Sequence, residues 1–210
     1  MTGRLEKHRR TLEAVGLLGV MLTACGVAGS AVHESQAPRT LATEVRGLDG
    51  TPLSLHAPDG GVLAVVFLWT PCPNSNQYSP TLNRIAAQID SDRVRFIGLF
   101  VDADLTDAQV DTHAKEFALK FPIGRLGAGR LARELGVETV PSAVVLDDQG
   151  AVRYQGRIND QFYDLGRRRQ VVRSEDLLDA IAAVLAGDPV RTPRTEAIGC
   201  TLPDFGEDSS

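Results

Sequence analysis

A chain of 210 residues has room for one folded domain with short extensions. Its 43% hydrophobic and 23% charged residues are ordinary for a folded domain. A formal net charge of -5 argues against nucleic-acid binding, because polyanion binding needs a concentrated basic patch. The one short basic run, Arg167-Arg168-Arg169, is interpreted as a solvated turn.

Three cysteines are present, Cys25, Cys72 and Cys200. They are too few and too scattered for a disulfide scaffold. Because no Cys-x-x-Cys pair occurs, a structural zinc site is not expected, and no metal ligands are assigned. Each cysteine is therefore interpreted from its own surroundings.

The N-terminal segment has the pattern of an export signal. A basic start precedes an apolar run from Ala14 to Ala24, which is shorter than the roughly 20 residues of a membrane-spanning helix. The run ends in Leu22-Thr23-Ala24-Cys25, which resembles the bacterial lipobox, whose cysteine is lipidated and becomes the new N-terminus. We therefore expect a lipoprotein signal peptide at residues 1–24 and a flexible tether at residues 25–39. A plain secretory signal with an incidental cysteine is the alternative.

Hydrophobic periodicity predicts alternating strands and helices over residues 40–188. Continuous apolar runs are typical of strands buried on both faces, whereas apolar spacings of three and four residues are typical of helices. Strands are predicted as a hairpin at 45–53 and as segments 61–68, 94–101, 142–146 and 151–155. Helices are predicted at 78–89, 106–119, 129–135 and 175–185. The predicted fold is α/β, with a central mixed sheet flanked by helices, an N-terminal hairpin and an irregular C-terminal tail at 189–210.

Cys72 lies where a predicted buried strand passes into a helix. The residues before it are Trp69, Thr70 and Pro71. Free backbone N–H groups and the helix dipole favour an anion at this position, and the thiolate is the reactive form of a cysteine. Cys72 is therefore the candidate nucleophile. The alternative is an inert buried cysteine.

A second motif, Val140-Pro141 followed by a predicted strand, lies about 70 residues after Cys72. Together the two motifs resemble the thioredoxin-like superfamily, and most of all its redoxin branch. That branch holds the alkyl hydroperoxide reductase and thiol-specific antioxidant group and exported thiol–disulfide oxidoreductases. The resemblance covers roughly residues 40–187. It implies a thioredoxin-like fold, a cis Val140–Pro141 bond facing Cys72, and backbone groups at Pro141 that bind substrate.

Two departures from the family pattern narrow the implied chemistry. Thioredoxin-like oxidoreductases carry a second cysteine three residues after the first, where this chain has Ser75. A redox pair within that motif is therefore excluded. Peroxiredoxins place Thr or Ser three residues before the reactive cysteine, where Trp69 stands, and an Arg where Pro141 stands. Both missing groups normally polarise the peroxide.

Cys200 is the remaining candidate for a second redox thiol. The predicted tail could fold back, since the entropy cost of closing a loop grows slowly with its length. A Cys72–Cys200 disulfide, with Cys200 as the resolving thiol, is a hypothesis. Arg157, which follows a predicted strand, is a candidate to stabilise the Cys72 thiolate, with a surface charge as the alternative. The predicted substrate pocket consists of Trp69, Thr70, Pro71, Ser75, Val140 and Arg157.

The sequence thus favours an exported, membrane-anchored thiol-dependent oxidoreductase that acts on disulfides or peroxides. Its expected partners are a thiol or disulfide protein and, through the lipid on Cys25, a membrane; no prosthetic group is required. One alternative is a copper-binding, metallochaperone-like module in which Cys72, Cys200 and His113 take Cu(I). Another is a non-catalytic interaction domain that keeps the fold without the chemistry.

Overall fold

The computed structural model describes residue 41 and residues 44–125 and 127–202. All of these lie in one compact unit that spans Gln36–Ser210. The predicted signal peptide at 1–24, Cys25 and the predicted tether at 25–39 lie outside the described residues. Among the described helices, none is long and apolar enough to cross a membrane.

Short and long strands alternate with five helices along the described chain. The strands are β1 (Val45–Arg46), β2 (Pro52–Leu53), β3 (Val62–Leu68), β4 (Val94–Phe100), β5 (Ile123–Gly124), β6 (Thr139–Val140), β7 (Ser142–Asp147), β8 (Val152–Gly156), β9 (Phe162–Asp164), β10 (Arg167–Arg168) and β11 (Cys200–Thr201). The helices are α1 (Pro73–Gln77), α2 (Ser79–Gln88), α3 (Asp107–Glu116), α4 (Ala128–Glu134) and α5 (Asp176–Ala186).

The central sheet has five strands in the order β5-β4-β3-β7-β8. Strands β3, β4 and β5 are parallel, while β7 runs antiparallel to both β3 and β8. All seven residues of β3 are buried, as its unbroken apolar sequence predicts for a central strand. The predicted mixed sheet flanked by helices is confirmed.

Alternate residues of the sheet face two separate cores. Val62, Val66 and Leu68 of β3 face the core that includes side chains of α2, α3 and α5. Leu63, Val65 and Phe67 face the other core, which α4 covers. Helices therefore lie on both faces, and the loops at the end of β3 emerge between them.

Some element boundaries differ from the sequence prediction. The helix predicted from residue 78 is preceded by α1, which has Pro73 in its first turn, and the two helices meet at Tyr78. Proline is favoured in the first turn of a helix, which explains why α1 begins at Pro73. The capping box of Thr106 and Gln109 is present at α3. The N-cap residue of α5 is Glu175, and the helix itself begins at Asp176, one residue after the predicted start.

The tail beyond α5 is mostly irregular, as predicted, but residues up to 202 are bonded to the domain. Thr195 donates its N–H to the Gln155 carbonyl at 3.1 Å, and the Gln155 N–H donates to Pro193 O at 2.9 Å. Leu202 donates its N–H to Glu138 O at 2.8 Å. The predicted irregular tail is therefore held against the domain by backbone hydrogen bonds as far as residue 202.

Candidate active site

Cys72 lies just beyond the carboxyl end of β3. It is the N-cap residue of α1, and its N–H donates to Trp69 O at 3.0 Å, which closes the turn between strand and helix. Ser75 accepts a hydrogen bond from the Trp69 N–H at 3.2 Å and so ties the first turn of α1 back to the end of the strand. These contacts fix the Cys72 side chain inside the protein, where it is 0% exposed.

The Val140–Pro141 peptide is cis and lies beside Cys72. Antiparallel pairing sets Ser142 of β7 opposite Phe67 of β3, so the residues that enter β7 adjoin those that leave β3. Cys72 Sγ lies 3.4 Å from Val140 O. The two motifs that the sequence analysis singled out therefore meet at one end of the sheet.

Cys200 reaches the same point from the C-terminal segment. Its strand β11 pairs antiparallel with β6, and Cys200 is the register partner of Val140. The sulfur of Cys200 lies 2.7 Å from that of Cys72, and both cysteines are free thiols in this structure. The predicted site residues Cys72, Val140 and Cys200 are thus in contact with one another, although Cys72 and Cys200 are 128 residues apart in the sequence.

Two residues allow the C-terminal segment to approach so closely. At Gly199, an added Cβ would collide with the carbonyl of Val140 and with the Pro141 ring, so only glycine fits. Asn74, fully buried two residues after Cys72, donates its amide N–H to Ile198 O at 2.8 Å. The sequence analysis did not single out either residue, although the small Gly199 beside a cysteine is a recognisable signal of close backbone approach.

The two sulfurs have different electrostatic surroundings. Burial, together with the hydrogen bond and charge interaction with Cys72, raises the pKa of the Cys200 thiol to about 12. Cys200 Sγ is the donor toward Cys72 Sγ. Cys200 therefore holds its proton at neutral pH.

The Redoxin family model matches residues 33–164, which is more than half of the chain. The chain belongs to the Redoxin family. Thiol-disulfide oxidoreductase ResA of Bacillus thuringiensis subsp. konkukian is 26% identical to this redoxin over 160 residues, which cover 70% of the chain and 87% of the relative. The ResA of Bacillus cereus (strain ATCC 10987 / NRS 248) is 28% identical, and the match spans 56% of the chain and only 65% of that relative. The prediction of an oxidoreductase enzyme is confirmed by the family and these relatives.

Solved structures confirm the thioredoxin-like fold of the redoxin. An uncharacterized conserved protein from Geobacillus kaustophilus superposes with a TM-score of 0.69 at 18% identity, covering 82% of this chain and 94% of its own. A thiol-disulfide isomerase from Corynebacterium glutamicum superposes with a TM-score of 0.51 at 20% identity, covering 74% and 98%. At 18% and 20% sequence identity, these similarities show a shared fold and nothing about activity.

A polar network that the sequence analysis overlooked lies behind the reactive turn of the redoxin. Asp102 is buried and accepts hydrogen bonds from the Thr70 hydroxyl at 2.6 Å and from the Thr70 N–H at 3.2 Å. The pKa of the Asp102 carboxyl is raised, because the effect of burial is larger than that of the Thr70 hydrogen bonds, which lower it. Asn76 donates to Thr70 O at 2.9 Å and contacts His113 Nε2 at 3.0 Å. The network therefore fixes Thr70, two residues before Cys72.

The other predicted pocket residues differ in their placement. Trp69 is half-buried and packs with Cys200 against the core under α4, while Pro71 is exposed. Arg157 is turned to other partners, since its guanidinium forms an ion pair with Asp176 at 2.8 Å and donates to Ser174 Oγ at 3.2 Å. The prediction that Arg157 stabilises the Cys72 thiolate is corrected accordingly: its charge is neutralised by Asp176.

His113 does not join the two cysteines. Its ring packs between Phe100 and Phe117, with centroid distances of 5.6 and 4.5 Å, and burial lowers its pKa. Within the described part of the chain, no group of three or more His, Cys, Asp and Glu side chains could hold a metal ion. The copper site of Cys72, Cys200 and His113 thus has no support in the geometry.

Proposed function

We propose that this redoxin is a thiol–disulfide oxidoreductase in which Cys72 is the nucleophile and Cys200 the resolving thiol. The observation that carries the proposal is the 2.7 Å separation of the two sulfurs, set by the pairing of β11 with β6. Cys200 takes the role that the second cysteine of a Cys-x-x-Cys motif has elsewhere, because Ser75 occupies that motif position. The named activity of the ResA relatives agrees with this assignment.

In the first step, the Cys72 thiolate attacks one sulfur of a substrate disulfide. A mixed disulfide forms, and the other substrate sulfur leaves as a thiolate that takes up a proton. Cys200 then loses its proton and attacks Cys72 Sγ, which releases the second substrate thiol. The substrate gains two electrons and two protons, and the protein ends with a Cys72–Cys200 disulfide. A reducing thiol protein restores the pair by the reverse exchange.

Substrate entry requires the C-terminal segment to move. Cys72 is 0% exposed, so a substrate cannot reach it in this conformation. Strand β11, which contains Cys200, pairs with the Val140 backbone, and an extended substrate segment would need that same backbone for pairing. In the proposed cycle Pro141 and Val140 supply that backbone platform, while Thr70, Pro71 and Trp69 line the approach to the thiol. The segment around Cys200 is displaced when substrate binds and returns for the resolving step.

The pH dependence of the resolving step tests the roles of the two thiols. Burial is the largest cause of the high pKa of Cys200, and it acts again once the segment has returned for the resolving step, so few Cys200 side chains are then thiolates at neutral pH. With hydroxyethyl disulfide as the substrate, we expect the rate of the second step to rise about tenfold for each pH unit above 7. Rapid-quench mass spectrometry of the mixed disulfide measures this rate.

A resolving rate that is flat between neutral pH and the pKa of Cys200 would contradict this assignment. The mixed disulfide itself must map to Cys72; if it maps to Cys200, the two roles are reversed. The formation step serves as the internal control, because it depends on Cys72 and not on the ionisation of Cys200.

Substitution of Gly199 by alanine tests the approach of the two strands. The added methyl group meets the Val140 carbonyl and the Pro141 ring, so β11 is pushed from β6 and the sulfurs separate. We expect the Cys72–Cys200 disulfide to form about tenfold more slowly under diamide, since small displacements of reacting groups are costly. Thr201→Ala, on the same strand but with an exposed side chain, is the matched control. An unchanged rate in Gly199→Ala shows that the strand pairing does not govern the reaction.

We also propose that the enzyme is exported and anchored by a lipid on Cys25. The support is the basic start, the short apolar run and the lipobox-like residues before Cys25. An exported location permits disulfide chemistry. Mass spectrometry of the mature N-terminus tests the proposal, since an unmodified Cys25 would contradict it.

A further inference from the structure

The hairpin formed by β9 and β10 has an unusual surface. Within the described part of the chain, every large hydrophobic side chain that is exposed lies on this hairpin or on the segment directly after it. They are Tyr163, Leu165, Val171 and Val172, with 36–68% exposure. A cluster of exposed apolar side chains on a folded domain is typical of an interaction surface.

The same segment carries a concentrated positive charge. Residues 162–173 contain four arginines and one acidic residue, so their formal charge is +3 in a chain whose net charge is -5. The sequence analysis interpreted Arg167-Arg168-Arg169 as a solvated turn, and the structure places the first two in an exposed strand. A cationic patch on an acidic protein selects partners by their charge.

Aromatic rings hold these arginines along the hairpin. The Arg167 guanidinium carbon lies 5.2 Å from the centre of the Tyr163 ring, and that of Arg168 lies 5.9 Å from the centre of the Phe162 ring. Arg169 donates to Asp160 O at 2.9 Å. The guanidinium groups of Arg167 and Arg168 are thus stacked along the hairpin. Arg167 also forms a 3.9 Å ion pair with Asp164, but its side chain stays 65% exposed and can contact a partner.

The hairpin is directly connected to the redox site. Its turn residue Gly166 donates its N–H to Asn74 Oδ1 at 2.7 Å, and the amide N–H of Asn74 donates to Ile198 O at 2.8 Å. One buried side chain in the helix of Cys72 therefore contacts both the hairpin and the segment that carries Cys200. A molecule bound on the hairpin therefore lies close to the helix that begins at Cys72 and to the segment that carries Cys200.

We propose that the β9–β10 hairpin and residues 171–173 form a docking surface for an acidic polypeptide that carries the disulfide or thiol exchanged at Cys72. Arg167, Arg168 and Arg173 bind its carboxylates, and Tyr163, Leu165 and Val171 take up its apolar side chains. The position of the surface beside Asn74, in the helix that begins at Cys72, favours a polypeptide over a membrane, because a lipid surface has no thiol or disulfide to exchange with Cys72. This inference rests on the proposed thiol–disulfide activity for the identity of the cargo.

Binding of two labelled peptides to the full chain tests the surface apart from the chemistry. Both peptides carry the same leucine and phenylalanine residues and serine in place of cysteine; one has glutamate and the other lysine at the remaining positions. Fluorescence anisotropy at low salt is expected to show at least about tenfold tighter binding of the glutamate peptide. The preference should fall at high salt and be lost in R167E/R168E and, in large part, in R167Q/R168Q. R130E, which reverses an exposed charge on α4 at the opposite face of the sheet, should keep it.

Equal binding of both peptides to the wild-type chain would overturn the proposal, as would an equal loss in R130E. Binding of phosphatidylglycerol vesicles that R167E/R168E abolishes, without any preference between the peptides, would assign the surface to a membrane instead. The exchange rate with uncharged hydroxyethyl disulfide separates the two proposals. If the wild-type chain does not react with it, the thiol–disulfide function fails while the peptide result stands. R167E/R168E should react with this reagent at the wild-type rate, and thermal melting confirms that the variants fold.

Discussion

Replacement of Cys72 by serine is expected to lower the rate of thiol–disulfide exchange by roughly 10³-fold or more, to the uncatalysed background. The hydroxyl of serine is a poor nucleophile at neutral pH. The Cys200 thiol cannot replace the Cys72 thiol, because burial, the largest of the causes that raise the pKa of Cys200 to about 12, remains in this variant.

Cys200→Ser is expected to behave differently, because it keeps the nucleophile and loses the resolving thiol. The first step proceeds, and the mixed disulfide on Cys72 accumulates instead of passing to a Cys72–Cys200 disulfide. Reaction with hydroxyethyl disulfide, followed by intact-mass spectrometry, distinguishes the two variants. Cys25→Ser, which removes the third cysteine, is the control and should react like the wild-type chain. Full exchange activity in Cys72→Ser would show that another group is the nucleophile.

Oxidation of the Cys72–Cys200 pair is expected to raise the free energy of unfolding by about 4 kcal/mol. The two cysteines are 128 residues apart in the chain, so a disulfide between them restricts a large part of the unfolded ensemble. The reduced fold already brings the sulfurs together, so the oxidised form needs little rearrangement of β6 and β11. Urea denaturation with and without reductant measures the difference.

The Cys200→Ser variant is the control for this stability difference. It cannot form the bond, so its midpoint should be the same with and without reductant. Mass spectrometry of a non-reduced digest identifies the linked peptides in the wild-type chain. If both thiols of the oxidised protein alkylate freely, the pair does not form and the proposed cycle is wrong.

Much of the fold was predictable because its strands are strongly patterned. The unbroken apolar run of β3 could only be a central strand, and the capping box at Thr106 marked the start of α3. The position of Cys72 between a buried strand and a helix followed from the same local signals. Short elements such as β6 and β11 have two residues each and carry no periodicity, so the sequence could not reveal them.

The contacts of the site were less predictable, because they depend on long-range pairing. Cys200 was a candidate, yet nothing local to it showed that its strand would pair with Val140. Asp102 is 32 residues from Thr70 in the sequence, and only the folded chain brings its carboxylate to the Thr70 hydroxyl. Arg157 illustrates the opposite error, since a charge close to the motif in the sequence pairs with Asp176 in the fold.

The small size of β11 has a thermodynamic consequence for catalysis. A two-residue strand at the end of a segment can detach by local opening, at a free energy far below that of global unfolding. The observed reactivity of Cys72 is then its intrinsic reactivity multiplied by the population of the open state. Contacts that hold the segment, such as that of Asn74 with Ile198, set this population and so tune the rate without touching the sulfur.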